Sequence, residues 1–423
     1  MMNFKGKFEG FIFYKNILIL LRGSALAQFI PLLISPLIAR LYSPQEFGVL
    51  ALFTSISTIF GSVINGRYEQ ALVLVESDEE AKHVTILSIL ISAIASIFLF
   101  IIIILSGDYI LSFLNIEELD FWFYLIPLVV FSIGVFNTLN FYHLRQKNFK
   151  TISNSEISRS TSFATIQLVF PIFKSGLYGL IIGKVISSFV APLYLLQKSK
   201  FNFFSFEPSE LKKVAKRYID FPKFTNLSVL LNNLSVNSIN LLIPVLYSTT
   251  LLGLYSLMYR VMAAPFAFLG NSISQVFLEE VSRQKQEVGN AYALTKRLMI
   301  QLSVISVLSY GLSYFFLEDL FAFVYGEEWR MSGVIAKCLI PFFIFKFIVS
   351  PLTSIHTAFE KQKWSFYLQL LMFVLSLASI FLAYFNEWSF VNFLFLFGAV
   401  MSVFYFFRII IVLKIAKNKS VNE

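Results

Sequence analysis

Residues 40–69 read RLYSPQEFGVLALFTSISTIFGSVINGRYE, a polar turn and a long apolar run that ends at a second polar cluster. A similar stretch returns 205 residues later, where LYSTTLLGLYSL (residues 246–257) aligns with LYSPQEFGVLAL (residues 41–52). Leu, Tyr, Ser, Gly and Leu are identical at five of the twelve positions. Self-similarity at a fixed offset is typical of a duplicated fold, so two homologous halves are predicted.

The composition indicates an integral membrane protein. Of 423 residues, 57% are hydrophobic and only 14% are charged; soluble domains carry about a quarter charged residues. The single cysteine, Cys338, excludes an intrachain disulfide, and the three histidines show no metal-ligand spacing, so we expect no cofactor and no metal. The first apolar run reaches spanning length without a cleavage site, which predicts a retained helix.

The apolar segments define the predicted spans, since about 20 apolar residues cross roughly 30 Å of hydrocarbon. Twelve segments lie at residues 16–39, 48–74, 83–105, 121–143, 157–173, 176–197, 221–245, 251–277, 298–317, 331–357, 364–385 and 389–413. They predict an all-α integral membrane protein with an N-lobe (1–200), a cytoplasmic amphipathic linker (201–220) and a C-lobe (221–423). With six spans in each half, the lobes should be related by a pseudo-two-fold axis along the membrane normal.

Basic residues indicate the orientation, because Lys and Arg accumulate in cytoplasmic loops. One set of loops carries most of them, whereas the other carries only Arg40, Lys174 and Arg330. This asymmetry predicts a multi-pass protein with both termini in the cytoplasm. It also explains the net charge of +9, so we expect membrane lipids as partners and no nucleic acid.

The linker reads FEPSELKKVAKRYIDFP at residues 206–222, and its apolar residues recur at helical spacing. An amphipathic helix is predicted, lying on the inner leaflet with its basic residues at anionic head groups.

Several motifs carry a family resemblance: RLYSPQEFGVLAL with GRYEQALVL, then FPKFTNLSVLLNNLS, LGLYSLMYRVMAAPFAFLG and NSISQVFLEEVS. The chain resembles the polysaccharide-exporter branch of the multidrug/oligosaccharidyl-lipid/polysaccharide (MOP) superfamily, and within it the Wzx-type flippases of O-antigen and related surface glycans. The resemblance covers spans one to three and seven to eight, and the last four spans by hydropathy alone.

The resemblance implies a transporter with two lobes around a central cavity. It would move undecaprenyl-pyrophosphate-linked oligosaccharides from the cytoplasmic to the periplasmic leaflet of the bacterial inner membrane, by alternating access. Lipopolysaccharide or other polysaccharide biosynthesis would be its setting, with other glycan-assembly proteins as partners.

Basic residues inside the predicted spans are substrate-site candidates, because a charge at bilayer depth is costly and usually faces a cavity or a partner. The predicted cationic cavity consists of Arg22, Lys184, Arg260 and Lys346. A structural contact with an acid or a helix carbonyl is the alternative for Arg260, and burial of the side-chain stem among aromatic residues is the alternative for Lys346. Snorkelling to the inner surface is the alternative for Arg22. Lys337 and Arg408 lie nearer to span ends, where they can snorkel to the interface, and a place in the cavity is the alternative.

Deep carboxylates are missing, which favours an anionic substrate over a cationic drug. Proton or sodium coupling stays open, since either usually requires an acid within the membrane. Glu69, at the end of the second predicted span, is the coupling candidate, and a local pair with Arg67 is the alternative.

Prolines inside the spans are hinge candidates, because proline removes a backbone hydrogen bond and bends a helix. They are Pro31 and Pro36 in the first span and Pro244 in the seventh. A static kink is the alternative for each.

Other functions stay open beside the flippase. An integral-membrane glycan polymerase or ligase would need a long periplasmic loop with catalytic residues, which the sequence lacks. A same-fold exporter of drugs or cations would need a deep carboxylate. A structural scaffold in a glycan-assembly complex is made unnecessary by the deep cations but is not excluded by them. The sequence thus favours a transporter over an enzyme.

Overall fold

The computed structural model describes residues 26–113, 116–173, 176–199 and 207–417. These residues form helices joined by short turns, and no strand occurs among them. Helices suit a bilayer because they satisfy their backbone hydrogen bonds internally. Arg22, one of the four predicted cavity cations, lies outside the described residues.

The longer helices of the first half are α1 (Leu26–Ala39), α2 (Pro44–Gly61), α3 (Asp78–Phe113), α4 (Ile126–Arg145), α5 (Phe149–Val169), α6 (Leu177–Lys198) and α7 (Pro208–Arg217). Those of the second half are α8 (Asn226–Leu246), α9 (Thr249–Val288), α10 (Tyr292–Ser313), α11 (Leu317–Tyr325), α12 (Arg330–Leu352), α13 (Gln362–Phe385) and α14 (Phe390–Lys417). Apart from α7 and α11, each coincides with one of the twelve predicted spans. The predicted all-helical architecture is therefore confirmed.

Not every spanning helix is strongly apolar. Among the described residues, seven helical stretches are long and apolar enough by themselves to cross a bilayer, and α10 with α11, bent by 70°, makes an eighth. Helix α5, FKTISNSEISRSTSFATIQLV, is not among them. A helix this polar is stable at bilayer depth only where its polar side chains face other helices or a cavity.

Packing divides the chain into two compact units. The first comprises the described residues of Met1–Tyr42 and Val49–Asn237, and the second those of Ser43–Gly48 and Ser238–Glu423. In the first unit α5 packs along α6, and α3 packs against α4. In the second unit α12 packs against both α9 and α14. The start of α2 therefore packs in the second unit, together with the second copy of the repeated motif.

The repeated serine caps a helix in both copies of the motif. Ser43 and Glu46 form a capping box, in which the Ser43 amide donates to Glu46 Oε2 at 2.7 Å and the Glu46 amide donates to Ser43 Oγ at 3.3 Å. In the second copy the Leu251 amide donates to Ser248 Oγ at 3.2 Å. These bonds satisfy amides that the first turn of a helix leaves without partners.

The repeated glycine lets the two copies touch. A Cβ atom added at Gly48 would overlap the carbonyl oxygen of Thr249, and one added at Gly253 would overlap the carbonyl oxygen of Pro44. Thr249 follows Pro44 by the same 205 residues that separate the two glycines, so one contact is made twice in reciprocal fashion. Small residues allow helix backbones to approach this closely, which explains why both copies carry glycine.

The second predicted span was too long at its C-terminal end. Helix α2 ends at Gly61, and the chain turns at Gly66 and Arg67, whose φ values of 63° and 61° are left-handed. Such values interrupt an α-helix. Residues Tyr68–Val73 then form a 3₁₀ helix, so Glu69 lies in the connection between α2 and α3 and not inside a span.

The predicted amphipathic helix forms as α7, and its apolar face packs on protein. Its position on the inner leaflet stays a prediction. Val214 and Tyr218 are buried in a cluster that includes Tyr68. The Tyr68 hydroxyl donates to the Ala215 carbonyl at 3.0 Å. The helix is thereby attached to the first unit, with its lysines exposed.

The predicted hinge prolines lie within continuous helices. Pro31 and Pro36 belong to α1, and Pro244 belongs to α8. Their role in bending stays a prediction.

We expect Gly48→Ala to destabilise the protein, because the added methyl group meets a backbone oxygen that cannot rotate away. Overpacking of this kind costs about 1–3 kcal/mol. The thermal unfolding temperature of the purified protein in detergent should fall by several degrees, about 2–4 °C per kcal/mol.

Gly311→Ala is the matched control, because a Cβ atom there has no neighbour within 4 Å. Alanine is the better helix former by roughly 0.5–1 kcal/mol, so this variant should be as stable as wild type or more stable. Equal unfolding temperatures for the two variants would contradict the reciprocal glycine contact.

Candidate functional site: a basic cavity in the first unit

A polar cavity of about 460 Å³ lies in the first unit. Helices α2, α4, α5, α6 and α8 and the turn after α2 contribute to its walls. Its basic residues are Arg67, Arg159 and Lys184, and its other polar residues are Thr58, Ser62, Asn137, Ser160, Ser187, Ser188 and Asn233. No Asp or Glu is among the described residues that line it. The cavity therefore offers cations and uncharged hydrogen-bonding groups.

Helix α5 contributes Arg159 to the cavity. The Arg159 guanidinium lies over the ring of Phe136 on α4, with Cζ 4.8 Å from the ring centroid. A cation over an aromatic face is attracted by the negative face of the ring. Glu156, one turn earlier on α5, also interacts electrostatically with Arg159. The ring and the acid hold the arginine in the wall while its charge faces a polar space.

Lys184, predicted from its depth in the sixth span, lies on α6 in the wall of the same cavity. The close packing of α5 along α6 brings Lys184 and Arg159 to one cavity although they are 25 residues apart. Contact between Lys184 and a substrate stays a prediction.

The left-handed turn after α2 positions Arg67. Its Nη1 atom donates to the Ser62 carbonyl at 3.3 Å and lies 3.2 Å from Glu69 Oε1. The Arg67 side chain is 15% exposed, whereas that of Glu69 is completely buried. This is the local pair that the sequence offered as the alternative for Glu69.

Glu69 is difficult to ionise. Neither carboxylate oxygen has a well-formed hydrogen bond among the described residues. Burial raises the pKa of Glu69 to about 7, although the positive charge of Arg67 and, to a smaller extent, the Glu69 backbone amide act to lower it. A carboxyl group with a pKa near neutrality changes charge under physiological conditions, which is common at functional sites.

Two of the predicted cations lie in the second unit. Lys346 on α12 donates a hydrogen bond to the Tyr259 hydroxyl on α9. Its Nζ atom lies 4.8 Å from the ring centroid of Tyr259 and 5.2 Å from that of Phe342. Arg260, the next residue on α9, interacts electrostatically with Tyr325. For Lys346 and Arg260, a role in substrate binding stays a prediction.

Snorkelling was the wrong interpretation of Arg408. The residue is only 8% exposed, and its guanidinium lies 5.5 Å from the ring centroid of Tyr405 and 5.8 Å from that of Phe404. Aromatic faces therefore provide partners inside the helix bundle. Lys337 forms a salt bridge with Glu318 at 2.6 Å.

The sequence did not single out Arg67 and Arg159, because both lay near the ends of predicted spans and counted as cytoplasmic charges. Helix α5 begins at Phe149, earlier than the predicted span at 157–173, which places Arg159 about three turns inside it. The polar run NSEISRSTS was the available signal, because it directly precedes an apolar segment and continues the same helix. Within the described ranges no cluster of three or more His, Cys, Asp or Glu residues could hold a metal ion.

The chain belongs to the polysaccharide biosynthesis protein family, whose model matches residues 37–334. The match spans α2 to α11 and includes all three cavity cations. No curated protein shows significant similarity to the chain.

Solved structures share the fold. The lipid II flippase MurJ, in an inward closed conformation, aligns with a TM-score of 0.65 at 15% identity over 92% of this chain and 87% of that chain. An inward-facing multidrug resistance MATE transporter of the MOP superfamily aligns with a TM-score of 0.63 at 15% identity over 96% of both chains. A mutant of the Vibrio cholerae MATE transporter VcmN aligns with a TM-score of 0.58 at 15% identity over 95% of both chains. The MOP fold and the polysaccharide family predicted from the sequence motifs are both confirmed.

The raised pKa of Glu69 predicts how stability changes with pH. The folded protein keeps a proton on Glu69 at a pH where the unfolded chain, with a pKa near 4.5, has lost it. The contribution of Glu69 to the stability of the folded protein is therefore fully present below about pH 4.5, and it is lost as the pH rises through about 7. The loss is on the order of 3 kcal/mol, because a tenfold difference in proton affinity between the folded and unfolded chains corresponds to about 1.36 kcal/mol.

Glu69→Gln, which cannot ionise, should lack this component. Between pH 5 and 8, the unfolding temperature of wild type should fall relative to that of the Gln variant, measured in detergent. Glu118→Gln changes an exposed carboxylate and is the matched control, expected to follow wild type. Parallel pH profiles for wild type and Glu69→Gln would contradict the buried, proton-binding carboxyl.

Proposed function

We propose that the protein is a flippase that moves undecaprenyl-pyrophosphate-linked oligosaccharide repeat units, of O-antigen or a related surface glycan, from the cytoplasmic to the periplasmic leaflet. The observation that carries the proposal is the grouping of Arg67, Arg159 and Lys184 in one cavity with no lining acid among the described residues. The likeness to a lipid II flippase supports a lipid-linked substrate.

The cations suit the diphosphate of such a lipid. Arginine presents a planar fork that binds phosphate oxygens through two parallel hydrogen bonds, and lysine adds a compact point charge. Inside a membrane-embedded protein these charges act in a medium of low polarity, where they attract an anion more strongly than in water. Together they replace the hydration that a diphosphate loses when it leaves the aqueous surface.

The uncharged part of the lining suits sugar. Asn137 and Asn233 have amides that both donate and accept, and the serines have hydroxyls that do the same. Sugar hydroxyls need both kinds of partner. Phe136 and Phe163 add apolar faces to the same wall. At about 460 Å³ the cavity lies in the range of ordinary ligand pockets, roughly 300–1,000 Å³.

The same features disfavour a drug exporter for cations, because a cationic substrate would be repelled by three positive side chains. No covalent step is proposed, since binding, reorientation and release of the lipid need no bond to break. Transport is by alternating access, with the protein in the bacterial inner membrane and both termini cytoplasmic. Other glycan-assembly proteins supply and use the lipid.

We expect loss of surface glycan when the gene is deleted in its host and restoration by the wild-type gene. Arg159→Ala and Lys184→Ala should each restore less surface glycan than wild type. Each removes a hydrogen bond to a charged group worth about 1.5–3 kcal/mol, and 1.4 kcal/mol corresponds to tenfold weaker binding of the diphosphate. Lipid-linked repeat units should accumulate in the inner leaflet. Surface glycan and leaflet-resolved lipid extraction are the measurements.

Lys216→Ala is the matched control, because it removes an equivalent charge from the exposed face of α7 and should complement fully. Arg260→Ala and Lys346→Ala test the second unit in the same assay and should also reduce export. Normal surface glycan in a deletion strain without a second flippase would overturn the function. Full complementation by both cavity variants at native expression would overturn the cationic mechanism alone.

A further inference from the structure

Arg67 lies between the basic cavity, where an anionic ligand can bind, and the carboxylate of Glu69. Its side chain lines the basic cavity, and its Nη1 atom lies 3.2 Å from Oε1 of Glu69. Glu69 itself is completely buried and is not part of the cavity lining. Arg67 therefore connects the cavity to a carboxylate that the cavity's occupant does not touch.

Ionised Glu69 depends mainly on this contact. Its oxygens receive no well-formed hydrogen bond within the described residues, and its own backbone amide has only a smaller influence than Arg67. In the part of the chain that the structure describes, Arg67 is the charged side chain that stabilises the ionised form. A buried carboxylate without a partner is so unfavourable that the group takes up a proton instead.

Charged groups around Glu69 are engaged elsewhere. The 3₁₀ helix Tyr68–Val73 packs against α3, α4 and the π-helix Phe221–Thr225, and it contacts α7 through Tyr68. Arg145 on α4 pairs with Asp78 at 2.5 Å, and Arg217 on α7 pairs with Glu80 at 2.7 Å. The lysines of α7 are exposed. The other titratable side chains on these elements include Lys82, His83, Tyr142, His143, Tyr218 and Lys223.

We propose that an anionic substrate group entering the cavity draws Arg67 away from Glu69, and that Glu69 then binds one proton from the aqueous phase. The carboxylate becomes a neutral carboxylic acid, and it releases the same proton when the substrate leaves and Arg67 returns. This inference rests on the proposed function, since the anionic group is the diphosphate assigned to the cavity.

The exchange makes substrate and proton bind together. Because coupling between two sites is reciprocal, a proton on Glu69 frees Arg67 and strengthens substrate binding to the same extent that substrate strengthens proton binding. Substrate affinity therefore rises as the pH falls through the range in which Glu69 titrates. The pKa of Glu69, about 7 with Arg67 in place, puts that range near neutrality. Loss of Arg67 raises this pKa further, because its positive charge no longer stabilises the carboxylate.

Isothermal titration calorimetry of the full chain in lipid nanodiscs tests the exchange, with farnesyl diphosphate as the probe and empty nanodiscs as the blank. Titrations in two zwitterionic buffers of different ionisation enthalpy give the number of protons taken up on binding. Wild type should take up close to one proton more than Glu69→Gln at pH 8, and this difference should vanish at pH 5.5. The Gln variant accounts for any proton that the diphosphate itself binds.

The affinities should agree with the proton count. Above pH 7, wild-type affinity should fall relative to that of Glu69→Gln by up to about tenfold per pH unit, as one linked proton requires. Glu69→Asp keeps the acid and should keep the uptake. If Glu69→Gln yields no folded protein, Arg67→Gln provides the comparison, because without the exchanging arginine the carboxyl stays protonated and takes up nothing.

The outcomes separate this inference from the proposed function. Binding that Lys184→Ala weakens, with equal proton uptake in wild type and Glu69→Gln, overturns the proton exchange and leaves the diphosphate site intact. Binding that requires sodium and takes up no proton also overturns the exchange. Absence of probe binding above the nanodisc blank at both pH values overturns the diphosphate site and the exchange with it.

Discussion

The low polarity of the bilayer interior is the constraint on which the rest of this structure depends. Hydrocarbon offers no hydrogen-bond partner, so the chain satisfies its backbone within helices and closes the helix ends with its own side chains. The capping serines, Ser43 and Ser248, do this at equivalent points of the two halves. Since helices gain no hydrophobic attraction for each other in lipid, close packing holds them together, and Gly48 and Gly253 provide it.

The same constraint gives the buried cations two different surroundings. In the first unit, Arg67, Arg159 and Lys184 share a polar cavity, where hydroxyls, amides and space for a ligand replace water. In the second unit, Lys346 and Arg408 lie against the faces of Tyr259, Tyr405 and other rings. Aromatic faces attract a cation without neutralising it.

Part of the candidate site could be predicted from the sequence. Lys184 was identifiable because it interrupts an apolar run far from either end, which is the pattern that hydropathy detects well. Arg159 was not, because α5 is polar along its length and its true beginning at Phe149 lies outside the apolar window. Arg67 and Glu69 were assigned to a membrane span instead of a connection for a related reason. The predicted second span continued through the polar cluster to residue 74, whereas the left-handed backbone at Gly66 and Arg67 interrupts the helix before it.

Composition and spacing along the chain were enough to predict the all-helical membrane fold, the duplication and the family. Hydrophobic length, the basic loops and a motif repeated at one offset are local or periodic properties. The packing of the helices was needed to decide which cations share a cavity and which carboxylate is cut off from water. Arg67, Arg159, Lys184 and Asn233 come from different elements of the first unit, and their common environment arises only when those elements pack. The strength of a charge interaction depends on distance and on the exclusion of water, and neither quantity is written in the order of the residues.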